Sequence, residues 1–235
     1  MLFQKLVGVG GDIQYVGSYV QGFAGGTTDR TITLTSLTGG IASAPAAGDL
    51  VIVYFGTGST ADRNLVVSGY TEIAELYSND TWDTNLVAAY KFMGGTPDTS
   101  FTLTGGTLNI SDAGAVAVQV WRGVNTVTTF DVTSTTATGI NSVLCDPPAI
   151  TPTTPGSIIV SGGAGAHDNE NPETYSSSNL TAFVSVGAGD ANAVTIGLGY
   201  NAWTSGAFNP AQFTFSETDS TSFSWAAVTL ALRPA

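Results

Sequence analysis

The chain has 235 residues, a formal net charge of −12 and 10% charged residues, against roughly 25% in an ordinary soluble domain. Its six Lys and Arg residues are scattered, which argues against DNA or RNA binding because that function needs basic side chains clustered on phosphates. The sequence contains no apolar run long enough for a membrane span, and the N-terminal run is too short for a signal peptide. We therefore expect synthesis in the cytoplasm without an export signal, no membrane partner and, since Cys145 is the only cysteine, no internal disulfide.

Residues 1–30 are rich in glycine, with aromatic residues spread between the glycines. Because glycine weakens the interior of a strand, this pattern predicts an arm with one or two short, irregular strands. Such an arm is suited to docking on a neighbouring molecule, and its candidate assembly contacts are Leu2, Phe3, Tyr15 and Tyr19. We place a β-sandwich domain over residues 31–235.

From residue 31 onwards, short runs rich in Val, Ile, Thr and aromatic residues are separated by Gly, Asn, Asp and Pro. This spacing predicts antiparallel strands joined by turns, and no segment shows a sustained helical period. We expect almost no helix, apart from a single turn near 61–63 or 206–211. The predicted strands are 31–37, 50–55, 65–67, 72–77, 85–93, 100–104, 115–122, 157–161, 180–186, 193–200, 212–215 and 223–233.

The second half of the sequence repeats the pattern of the first. The runs GDLVIVYF, NLVAAYKFM, SFTLT and AVAVQVWRG within 48–123 correspond in order to GSIIVSGG, NAVTIGLGY, QFTFS and WAAVTLALRP within 156–234. Tyr90 corresponds to Tyr200, and Arg122 to Arg233. Internal repetition predicts either one pseudo-symmetric sandwich or two stacked copies of one unit.

A Thr- and Pro-rich segment, 124–155, joins the two repeats and is predicted to form a crossover or an edge strand. Within the repeats, the strands at 50–55, 116–121 and 225–232 carry apolar residues on both faces, as strands covered on both sides do. In a two-layer sandwich the outer face then needs a further cover, which favours a homo-oligomer.

No catalytic residue is predicted. His167 is the only histidine and lies in a polar run, read here as an exposed loop; no nucleophile elbow accompanies Ser161 or Ser176. A glycan depolymerase would need two carboxylates in one groove. Glu72 and Glu75 are three apart on one predicted strand and are expected to face opposite sides, while Glu170, Glu173 and Glu217 lie in predicted loops.

Two oxygen-rich runs, 79–85 and 168–173, are weak candidates for calcium through Asp80, Asp83, Asp168 and Glu170. Asx turns, in which Asp and Asn bind their own backbone, are the favoured interpretation, so we predict no metal and no cofactor. Three aromatic residues in predicted loops, Trp82, Tyr175 and Trp203, are candidates for stacking on a sugar ring.

Several runs together resemble a poorly characterised family of structural proteins encoded by tailed bacteriophages. They are AGDLVIV at 47–53, GYTEIAELY at 69–77, DTNL at 83–86, YKFM at 90–93, TPDT at 96–99, AVAVQVWRG at 115–123, PPAITP at 147–152 and SWAAVTLALR at 224–233. The resemblance spans about residues 30–235 and assigns no catalytic residue. It implies a jelly-roll-like antiparallel β-sandwich, often trimeric.

The resemblance predicts a protein on the outer surface of a phage virion. A capsid decoration or cement protein, bound to the major capsid protein and stabilising the particle by burial between subunits, is the first expectation. A tail, spike or fibre component that contacts a tail protein and a host-surface receptor or glycan is the alternative, and a glycan depolymerase is a remote one.

Overall fold

The computed structural model describes residues 12–26, 29–105, 112–140, 142, 144–167, 173–189, 192–216 and 224–235. These ranges form β-strands and contain no helix, and accordingly none that could cross a membrane. The strands are β1 (Gln14–Phe23), β2 (Arg30–Thr33), β3 (Leu50–Ser59), β4 (Leu65–Val67), β5 (Thr71–Ser78), β6 (Asp83–Phe92), β7 (Ser100–Gly105), β8 (Gly114–Arg122), β9 (Thr135–Gly139), β10 (Leu144–Cys145), β11 (Ile158–His167), β12 (Tyr175–Ser176), β13 (Thr181–Ala188), β14 (Ala193–Ala202), β15 (Phe213–Phe215) and β16 (Ser224–Leu232).

The strands form four antiparallel sheets. Two are five-stranded and are called here the central sheets: β1-β8-β3-β6-β5 and β9-β16-β11-β14-β13. Two are three-stranded and are called the outer sheets: β2-β7-β4 and β10-β15-β12. The first half of the chain contains β1–β8 and the second half contains β9–β16. When the strands are counted within each half, both halves have the same order: first, eighth, third, sixth and fifth in the central sheet, and second, seventh and fourth in the outer sheet.

The predicted all-β, antiparallel sandwich with two pseudo-repeated halves is therefore confirmed. The jelly-roll topology is not confirmed. A regular jelly roll shares its eight strands between two sheets of four, whereas each half here divides them five and three. The fold corresponds to two stacked copies of one unit.

The two central sheets pack face to face and share one core. Alternation along β3 shows how: Leu50, Ile52 and Tyr54 point into this shared core, while Val51 and Val53 point into a separate core beneath the outer sheet of the same half. The chain thus forms four layers, outer, central, central and outer. Both faces of each central sheet are covered within one chain, so the two-sided apolar strands no longer argue for a neighbouring subunit.

The packing of the halves follows a pseudo-twofold relation. Tyr15 at the start of the first half packs on Tyr200 of the second at 5.3 Å, and Phe130 of the second half packs on Tyr90 of the first at 5.1 Å. The counterpart turns before β3 and β11 also match, because Gly48 and Gly156 adopt φ of 83° and 86°, in the left-handed region that favours glycine.

The irregular N-terminal arm predicted from the glycines is corrected. Residues Gln14–Phe23 form a ten-residue edge strand, β1, paired with β8. Gly22 belongs in it because any side chain there would collide with the carbonyl oxygen of Gly187 on the other central sheet. The segment from 124 contributes the edge strand β9 of the second half, as one of the two predicted forms, and the predicted turns near 61–63 and 206–211 are not helical.

Candidate functional site

The outer side of β1 is partly covered and partly open. The loop after β2 covers its first half: the Ser18 amide donates to the Thr38 carbonyl and the Thr38 amide to the Ser18 carbonyl, both at 2.9 Å, and the Ala42 amide donates to Val16 at 3.0 Å. Residues 16–18, which this loop covers, are buried, whereas every residue of 19–23, beyond the end of the loop, is half-buried. We call residues 19–23 the open edge.

The open edge presents unused backbone hydrogen-bonding groups. Since the amide and carbonyl of Ser18 point away from β8, alternation places those of Val20 and Gly22 on the same outer side. No residue in the described part of the chain bonds to these four groups. The side chains on this edge are uncharged, and the Tyr19 hydroxyl donates to Gln21 Oε1 at 2.7 Å.

A small pocket, with a volume of about 10 Å³ and hence room for about one water molecule, lies beside the end of the open edge. The Arg30 guanidinium covers the Phe23 ring at 5.6 Å and donates to the Ala24 carbonyl at 3.1 Å. On the pocket floor the fully buried Thr57 hydroxyl has no hydrogen-bond partner within the described ranges. The space is below the roughly 300 Å³ at which small-molecule sites begin, so we interpret the pocket as a corner that fixes Phe23.

Buried polar groups at the same end of the sandwich join the two halves. The Thr84 hydroxyl donates to the Ser224 carbonyl at 2.7 Å and accepts from the Ala166 amide at 2.8 Å, and the Ser224 hydroxyl donates to the Trp82 carbonyl at 2.6 Å. Nearby, Asp112 accepts from Asn192 at 3.0 Å and pairs with Arg63 at 2.9 Å. These bonds hold the halves in register, a structural role.

His167 is not in an exposed loop, and that expectation is corrected. It is the last residue of β11, is fully buried, and lies with Nε2 3.2 Å from the Thr195 hydroxyl and its ring edge-on to Phe215. Ser161 is buried six positions earlier on the same strand, where its hydroxyl bonds Thr229 at 3.0 Å. Six residues of strand span about 20 Å, so His167 and Ser161 cannot act together.

The three candidate sugar-stacking residues do not form a platform. Tyr175, predicted in a loop, is corrected: it lies in β12, is 5% exposed and packs on Phe215 at 4.5 Å, and burial raises its pKa. Trp203 is half-buried, and its indole donates to the Gly206 carbonyl at 2.8 Å. Trp82 is half-buried at the start of β6, whereas Trp203 follows the end of the parallel-running counterpart strand β14, so the two lie at opposite ends of the sandwich.

The oxygen-rich run near β6 forms turn contacts. Asp83 accepts from the Tyr77 hydroxyl at 2.6 Å and from the Asp80 amide at 2.8 Å, and Asp80 accepts from the Thr81 amide at 2.8 Å. Asp168 and Glu170 lie outside the described residues. Among the residues that are described, no three His, Cys, Asp or Glu side chains are grouped as metal ligands.

Glu72 and Glu75 lie on the same face, which corrects the expectation of opposite faces. A bulge between Glu72 and Ala74 shifts the register, so that Glu72 pairs with Ala89 and Glu75 with Val87, both on the outer-sheet side of β6. Burial, together with the charges of Asp62 and Glu72, raises the pKa of Glu75. Sequence alone missed this pairing because a bulge has no fixed residue signature.

The predicted assembly contacts separate into three groups. Leu2 and Phe3 lie outside the described residues. Tyr15 packs between the halves, with its ring 5.2 Å from Trp121, and burial raises its pKa. Tyr19 lies on the open edge. Sequence reasoning missed Val20 and Gly22 as candidates, although the uncharged run from Gln14 to Phe23 is the signal that could have identified them.

No family model, curated protein or solved structure matches the chain.

Proposed function

We propose that the chain is a structural protein of a bacteriophage virion, with capsid decoration as its most direct role. The observation that supports a structural role is the open edge of β1 on a double sandwich whose two central sheets are covered on both faces by its own strands. The viral part of the proposal rests on the sequence runs described above. A tail or spike position is the alternative location.

The fold suits a protein that must be stiff. The halves share one apolar core, and the hydrogen bonds from Thr84 and Ser224 cross between them at one end. At the opposite end, Arg122 binds the fully buried Asp49 carboxylate through two bonds of 2.8 and 2.9 Å, which raises the pKa of Arg122. Bidentate pairs of this kind fix geometry as well as adding energy.

The mode of docking differs from the one that the sequence suggested. Because the apolar sheet faces are satisfied inside the chain, attachment to a particle falls to strand edges and strand-end loops. The net charge of −12 opposes non-specific association, and the uncharged open edge is a place where close approach is not repelled.

Immunogold labelling of purified phage particles, with antibody raised against this chain, tests the proposal. Gold over the head supports decoration, and gold at the tail or its fibres supports the alternative location. Particles that bind no gold and whose mass spectrum lacks the protein would overturn a virion role. Binding of the purified chain to particles that lack it, measured by co-sedimentation, provides a second readout.

A further inference from the structure

We infer that the open edge binds the open edge of a second copy of this chain, antiparallel and around a twofold axis. The first argument is the set of unused groups. Val20 and Gly22 direct four backbone donors and acceptors outward, and residues 17–23 of the same strand pair without interruption with β8 on the inner side. Addition of a strand to such an edge is a recurrent mode of recognition.

The open edge also lacks the protection that β5 and β13 give to two other edges of the central sheets. On β5, Glu72 and Glu75 add charge, and a bulge interrupts the ladder. On β13 a bulge lies near Ala182, whose φ of 43° breaks the extended conformation. The fourth edge, β9, is the counterpart of the open edge and has the same five-residue length, and there the Ser78 hydroxyl donates to the Gly139 carbonyl at 2.9 Å. Charge and bulges are devices by which proteins block edge pairing, and residues 19–23 carry neither.

A second copy is the partner that fits because the open edge is self-complementary. Pairing centred on Gln21 sets Val20 of each copy opposite Gly22 of the other, and each of these pairs exchanges two N–H to C=O bonds. Gln21 then meets the second copy's Gln21 across the axis. With −12 on each chain, an uncharged five-residue segment is a contact that two identical molecules can share without repulsion.

The loop at Thr38 and Ala42 limits the contact, because Val16 and Ser18 are already bonded to it. Pairing of five residues on each chain buries much less surface than the roughly 1,200 Å² at which stable interfaces begin. We therefore expect a reversible, concentration-dependent dimer. The β1-β8-β3-β6-β5 sheets of the two copies would then form one continuous sheet. This inference concerns self-association alone and does not depend on the viral role.

Sedimentation velocity of the full chain from about 1 to 500 μM tests the inference. We expect conversion from the 24.0 kDa monomer to a dimer. Gln21→Lys sets like charges against each other across the axis and should weaken the dimer at least tenfold, as should Gln21→Glu. An equimolar mixture of Gln21→Lys and Gln21→Glu chains should recover it as a heterodimer. Gln14→Lys, on an exposed residue of the same strand outside the open edge, is the matched control and should have no effect.

Val20→Pro provides a second test. It removes an amide that points outward, so the pairing with β8 keeps its bonds while the dimer is lost. A monomer at every concentration, a trimer, or a dimer that is indifferent to Gln21→Lys would each overturn the inference. Circular dichroism of every variant confirms that loss of the dimer is not loss of the fold.

Discussion

Replacing Gln119 by leucine should stabilise the protein. Gln119 is fully buried on β8 and points into the core shared by the halves, between two apolar neighbours on the same face, Ala117 and Trp121. Its Nε2 lies 3.5 Å from the carbonyl oxygen of Ala182, at the limit of a hydrogen bond, and its Oε1 has no partner among the described residues. The counterpart in the second half is Leu230, because Gln119 pairs with Ile52 and Leu230 with Val160 at the same strand position.

The magnitude follows from these contacts. An unsatisfied buried acceptor destabilises the folded state by about 1–3 kcal/mol, and a hydrogen bond as long as the one to Ala182 stabilises it by less than about 1 kcal/mol. Leucine removes the unsatisfied acceptor and adds apolar contact, while its imperfect fit in a site shaped for glutamine reduces the gain by about 1 kcal/mol. We expect a net gain of about 1–2 kcal/mol in the free energy of unfolding.

Guanidinium unfolding followed by tryptophan fluorescence measures the effect, and the slope with denaturant should not change. The reverse substitution at the matched site, Leu230→Gln, should cost about 3 kcal/mol, because it removes apolar burial and adds an unsatisfied amide. A loss of more than about 1 kcal/mol in Gln119→Leu would refute the reasoning and show that the amide is satisfied in the native state.

Three further predictions concern single positions. Asp49→Ala should lower the free energy of unfolding by about 2–3 kcal/mol in urea melts, because the carboxylate accepts from Arg122 and the Ala46 amide; Asp49→Ser, the residue of the second half, should cost less. Gly162→Ala should cost about 1–3 kcal/mol, since its Cβ would lie 2.8 Å from the Tyr54 ring, whereas Gly94→Ala, in open space, should cost under about 0.5 kcal/mol in the same melts. Glu75→Gln should stabilise the protein at neutral pH but not below about pH 4. The pKa of Glu75 is raised in the folded state, so the folded protein binds this proton more tightly than the unfolded chain, and the stability of the wild type falls as the pH rises above 4.5. Thermal melts of both proteins across this pH range measure the effect.

The sequence predicted the positions of most strands well, although the predicted strand 31–37 ends at Thr33 in the structure. Leu65–Val67 has the predicted bounds, and the two-sided character of the strand from Leu50 is the one observed. The prediction failed at β3 and β11, where the predicted strands end at Phe55 and Ser161, each directly before a glycine. β3 continues through Gly56, which packs on Ala164 of the other half, and β11 continues through Gly162, which faces Tyr54.

The early end predicted for β11 explains the largest error at a candidate site. Because the sequence predicts that this strand ends at Ser161, it predicts His167 in a loop, whereas the longer strand carries His167 into the interior. Glycine is needed in β11 because neighbouring residues approach its backbone closely; a side chain at Gly163, for example, would collide with the Cys145 sulfur. Such contacts join residues distant in sequence, and a single sequence does not reveal them.

Comparison of the two halves shows which positions the shared fold requires and which it leaves free to vary. Where the halves agree, as at Gly48 and Gly156 or at Tyr90 and Tyr200, the residues make turns or pack between the halves. The first half departs from the second at Gln119, which replaces a leucine in the core at a structural cost, and in the length of β1, which has ten residues where β9 has five. The extra residues of β1 are 14–18, because Phe23 at its end pairs with Gly114 just as Gly139 at the end of β9 pairs with Trp225. The loop at Thr38 and Ala42 bonds to Val16 and Ser18 within this extra length, so the longer strand serves packing inside the chain, and the open edge corresponds to β9 itself.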